Sequence, residues 1–135
     1  MSIASYFFIG TDDEAQRNDG LEGSPADHRA EFYRVMDTSI KPIYTILTGE
    51  KSPSFEPVVM NDDFSQITFL IPEKFVQAAA SIEPDNHVEI LKAWKETEDA
   101  PYDNDKDLTD LLAALAKLSR KAIEDKQNLY LWNCL

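Results

Sequence analysis

Two short segments at opposite ends of the chain, SYFFI at residues 5–9 and LYLWNCL at residues 129–135, constrain the fold more than any other feature. Each is apolar at both odd and even positions. A strand with that pattern carries water-avoiding side chains on both faces, so it suits a sheet position that is covered on both sides. The pattern predicts that the two terminal strands are central neighbours in one sheet. Neither run approaches the ~20 apolar residues that cross a bilayer. The opening MSIASYFFIG has no positive leading segment and no small-residue cleavage site, and it reads as structure rather than a signal peptide.

The stretch at 11–27, bracketed by Gly10, Gly20 and Gly23, reads as a surface loop. Ser24-Pro25 has the form of a helix start, a hydroxyl cap followed by proline. A partly amphipathic helix is expected to follow through Ala26, Ala30, Phe32, Tyr33, Val35 and Met36. A second helical stretch begins at Thr38-Ser39 and stops at Gly49. Residues 50–64 read as loop with a short extended piece at 58–60, and QITFLI at 66–71 as a strand. Pro72 opens a helix with Phe75, Val76, Ala79 and Ile82 on one face. Pro84 opens the next, whose expected apolar stripe is Val88, Leu91 and Trp94, with Ile90 beside it.

DLTDLLAALAKLSRKAIED then places Leu108, Leu111, Leu112, Leu115, Leu118 and Ile123 at helical spacing. Asp107 and Asp110 lie near its start and Arg120, Lys121 and Lys126 near its end, as the helix dipole favours. The expected architecture is a single α+β domain over residues 1–135. A small sheet holding the N- and C-terminal strands packs against several helices.

A content of 43% hydrophobic residues excludes wholesale disorder. Cys134 is the single cysteine, which rules out an internal disulfide, suits a reducing cytoplasm, and reads as a buried, inert thiol. The net charge of −12 opposes binding to nucleic acid phosphates and to anionic membrane surfaces, and it speeds encounter with a basic partner.

Signatures of chemistry are missing. Asp103, Asp105 and Asp107 have the alternate spacing of a calcium loop, but Leu108 and Ala114 stand where its glycine and glutamate belong. The carboxylates are better explained as an acidic helix start, and Asn61-Asp62-Asp63 as a turn. His28 and His87 read as exposed helical residues. His87-x-Glu89 lacks the cysteine pair of a zinc deaminase, and no HExxH, nucleophile elbow or phosphate-cradling glycine loop occurs. No catalytic residue, metal or cofactor is expected.

The order FLIPEKFVQAAASI, a helix ending in Trp94, a tyrosine in the following loop, DLLAALAKLSRKAIED and a hydrophobic LYLW end resembles the YfbM-like family of uncharacterised bacterial proteins. The likeness covers residues 66–135 and the first ten. It implies a compact bacterial domain and carries over no catalytic residue. In general character the chain also resembles bacterial immunity proteins, which neutralise toxins.

The leading expectation is therefore a non-enzymatic, cytoplasmic protein-binding domain that occludes a basic toxin. Residues 96–110 hold seven carboxylates against one lysine, and residues 11–31 seven against two arginines. Asp99, Tyr102, Asp103 and Asp105 are the expected partner-facing residues, with Tyr102 either an interface anchor or tucked back onto the domain. The alternative is a small enzyme or ligand-binding domain built from His28, His87 and nearby acids. A third reading is a homodimer formed through a sheet edge.

Overall fold

The computed structural model describes residues 4–11, 29–60 and 66–134. In chain order these form β1 (Ala4–Gly10), β2 (Arg29–Tyr33), α1 (Asp37–Thr48), β3 (Glu56–Met60), β4 (Gln66–Leu70), α2 (Glu73–Ala80), α3 (His87–Glu96), α4 (Asp105–Asp125) and β5 (Asn128–Cys134). A 3-10 turn, Pro84–Asn86, leads into α3. The strands make one antiparallel sheet in the order β2-β1-β5-β4-β3, so the protein is α+β with the C-terminal strand at the sheet's centre.

The register explains the two-sided apolar pattern of the end strands. Phe7 lies opposite Leu131 and Ile9 opposite Leu129, and all four join the leucines of α4 in the main core. Phe8 faces Tyr130 and Tyr6 faces Trp132 on the other side of the sheet. The Phe8 and Tyr130 rings stack at 5.2 Å between centroids, and both are buried. Cys134, expected buried, is only half-buried because it sits at the strand's end.

Residues 29–36 depart from the helical expectation. Ser24 and Pro25, like most of the 11–27 loop, the 61–63 turn and His28, lie outside the described residues. RAEFY at 29–33 is strand β2, paired from Ala4↔Tyr33 to Phe8↔Arg29. Ala30 and Phe32 turn toward the core while Glu31 and Tyr33 are exposed, a period of two. The long β1 template overrides the helical preference of Ala and Glu. Arg34 then turns the chain in the left-handed region (φ 58°) and delivers Val35 into the core. The extended piece expected at 58–60 begins earlier, at Glu56. It is an edge strand, with Pro57 and a register shift between Pro57 and Val59, both devices that discourage further strand pairing.

Two helical faces also differ from expectation. In α3 the inward residues are Ile90, Leu91 and Trp94, while Val88 is 76% exposed. Buried Trp94 sets the rotation, since its indole Nε1 donates to the Ser39 carbonyl at 2.8 Å and Val88 lies roughly 120° around the helix from it. In α4 the row Leu108, Leu111, Leu112, Leu115 and Leu118 is buried, and Ala122 takes the next inward place, leaving Ile123 half-exposed.

Helix ends are tied across elements. Gly49, at φ 75°, closes α1 and donates its N–H to the Thr45 carbonyl at 2.8 Å. Arg120 of α4 donates from Nε to the Ala80 carbonyl at 2.8 Å and from its guanidinium to the Ile82 carbonyl. It thereby caps the end of α2 from a neighbouring helix, with Glu83 3.4 Å away.

Deleting residues 130–135 removes the central strand and should abolish cooperative unfolding in a denaturant titration; a soluble truncation with a sharp transition contradicts this role for β5. Arg120→Ala should lower unfolding free energy by roughly 1–2 kcal/mol through the lost carbonyl bonds, read from the urea midpoint at constant slope.

Candidate functional site

The acid-rich stretch between α3 and α4 is shaped by its own side chains. Asn104 caps α4, accepting the Asp107 N–H at 2.8 Å and donating its amide to Asp107 Oδ2 at 2.8 Å. Asp105 and Asp107 occupy the first turn, where the helix dipole favours negative charge. Asp107 and Asp110, three residues apart, share one helix face.

Tyr102 joins this stretch to the edge of the sheet. Its hydroxyl accepts the Tyr33 N–H at 3.1 Å and donates to the Tyr33 carbonyl at 2.7 Å. The phenol thus does for one residue of edge strand β2 what a neighbouring strand would do. Tyr102 is tucked back onto the domain rather than projecting from it.

Around this clasp lies a cleft of about 260 Å³, lined by Glu31, Phe32, Tyr33, Tyr102, Asp107 and Asp110. Among the described residues three carboxylates line it and no cation does. Lys106 pairs with Asp110 at 3.2 Å, but both side chains are largely exposed and such a pair holds its geometry weakly. At the rim the Tyr33 ring is 65% exposed. Burial pushes the Tyr102 phenol above its ordinary pKa. The Tyr33 N–H opposes that shift, the Asp107 carboxylate adds to it, and Arg34 offsets it slightly.

The four residues expected to face a partner do not form one patch. Tyr102 belongs to the cleft, and Asp103 is exposed beside it. Asp105 is in close contact with Lys95 of α3 and lines a separate hollow with Val88, Leu91 and Lys92. Asp99 is exposed and lines a third hollow against α1. Glu31, Asp107 and Asp110 escape sequence reasoning as a group because β2 and α4 lie far apart in the chain. The only sequence signal is the shared face of Asp107 and Asp110.

His87 is half-buried at the start of α3. Among the described residues no three His, Cys, Asp or Glu side chains are grouped to hold a metal ion. Comparison with known protein families, curated proteins and solved structures finds no match to this chain. The cleft is therefore read from its own chemistry: it can accept hydrogen bonds from, and attract, a cationic group.

Tyr102→Phe should cost about 1 kcal/mol, since the Tyr33 backbone pair loses its partner at a partly wet site. The raised phenol pKa also has a pH signature. Its contribution to stability is complete below the unfolded-state pKa of about 10 and is lost as pH rises through the higher folded-state value. Phe at 102 should remove that alkaline slope, measured as urea midpoints between neutral and strongly alkaline pH; an unchanged slope contradicts the assignment.

Proposed function

We propose that the protein is a non-enzymatic binding domain, an acidic bacterial immunity protein of the cytoplasm that neutralises a basic toxin domain by occluding it. The observation that supports this reading most is the cleft in which Glu31, Asp107 and Asp110 surround Tyr102 with no lining cation among the described residues, beside exposed Asp103. Among the described residues no helix is long and apolar enough to cross a membrane.

The mechanism has two parts. The net charge of −12 steers a basic partner toward the domain and raises the association rate. At the cleft, a partner lysine or arginine enters between the three carboxylates, and the exposed Tyr33 ring packs against its stem or against a neighbouring apolar side chain. Asp105 contributes less than its position in the sequence suggests, because it lines a separate hollow rather than the cleft. A toxin whose active cleft is basic loses access to an acidic substrate once that cleft is filled.

The test is binding to, and protection from, a basic toxin domain, the candidates being products of genes that neighbour the one for this chain. Asp107→Lys with Asp110→Lys should weaken binding by at least about tenfold and flatten its dependence on salt, while Asp105→Lys has a smaller effect. Undiminished affinity in the double variant overturns the role of the cleft.

A further inference from the structure

The hollow against α1, opposite in character to the cleft, meets the 97–104 connection at Thr97 and Asp99. One wall is a single face of α1 on which Thr38, Lys41, Pro42, Thr45 and Ile46 recur at helical spacing. Lys51 and Ser54, from the segment that follows α1, line it together with Asp99. Its volume is about 620 Å³, well above that of the cleft beside Tyr102 and within the range of small-molecule sites.

Three features set this hollow apart. In a chain of net charge −12, two ammonium groups line it among the described residues, Lys41 paired with Asp37 outside the lining and Lys51 unpaired, against the single lining carboxylate of Asp99. Lys41 is pre-positioned: its Nζ lies 3.3 Å from Asp37 Oδ2 and 5.8 Å from the centre of the Phe55 ring, and it keeps further donors to offer. Lys51 has no ion-pair partner among the described residues, and the hydroxyls of Thr38, Thr45 and Ser54 make no hydrogen bond there.

Pro42 is the independent sign that this wall serves something other than stability. It sits inside α1, where proline removes one backbone hydrogen bond and crowds the preceding turn, a change that costs a helix interior dearly. Breaches of local preference of this kind are tolerated where a site gains from them. Here the ring gives a rigid apolar wall beside Ile46, below the lysine and hydroxyl donors.

We infer that this hollow binds a small organic anion, a phosphate or carboxylate carried on a compact apolar body. The charged group is held by Lys41, Lys51 and the Thr45 and Ser54 hydroxyls, and the body lies against Pro42 and Ile46. This site is independent of the acid-lined cleft.

Phenyl phosphate titrated into the intact protein, followed by backbone amide shifts, tests the inference. Saturable shifts should centre on Thr38, Thr45, Lys51 and Ser54 and leave Tyr33 and Asp107 unmoved. Phenyl phosphate should bind at least about tenfold more tightly than benzyl alcohol, benzylamine or inorganic phosphate. Lys51→Ala, at an exposed position that leaves folding intact, should weaken it about five- to tenfold. A control ligand that binds as tightly, shifts centred elsewhere, unchanged affinity in Lys51→Ala, or no saturation below about 10 mM each overturns the assignment.

Discussion

A buried polar knot holds the arrangement in register. Asn133 of β5 is fully buried, and its amide donates to Ser5 Oγ at 3.2 Å and to the Val35 carbonyl at 2.8 Å. Val35 in turn donates its N–H to Ser5 Oγ at 2.9 Å. One side chain from each terminal strand and the backbone that leaves β2 are thereby joined through the Asn133 amide nitrogen, while Asn133 Oδ1 stays buried without a partner among the described residues. A slip of one residue in β1 or β5 would turn that strand's polar group to the opposite face and leave the other without its partner. The knot also fixes the left-handed turn at Arg34, and through it the position of Tyr33 and the Tyr102 clasp.

From this frame the connection at 97–104 inherits two neighbours of opposite sign. At one end Asp99 faces the lysine-bearing hollow of α1; near the other, Tyr102 closes against β2 beside three carboxylates. Between them the Lys95 contact with Asp105 ties the end of α3 to the start of α4. Among the described residues, three carboxylates gather beside β2, while two lysines, one of them paired with Asp37, line the hollow at α1.

What could be read from the sequence follows the reach of each signal. The end strands, β4 and α4 carry their evidence within themselves: two-sided apolarity, a proline stop, and a leucine row longer than any strand. Strand β2 does not, since RAEFY combines good helix formers with apolar spacing that either period accommodates. Only pairing with β1 decides it. The rotation of α3 was equally hidden, because the bond from Trp94 to Ser39 spans 55 residues. For the same reason the acidic loop was visible as composition but the cleft was not, as Tyr102 meets Tyr33 from 69 residues away.

The central pairing of β1 with β5 bears on how the molecule is made. Ser5 and Asn133 are 128 residues apart in sequence, yet each needs the other for burial. During synthesis β1 emerges before β5, and Phe7, Phe8 and Ile9 lack their β5 partners Leu131, Tyr130 and Leu129 until β5 has left the ribosome. Closing so long a loop makes the final step slow relative to local helix formation. Local helix formation needs no such closure, so β1 is the apolar strand that waits longest for its full set of partners.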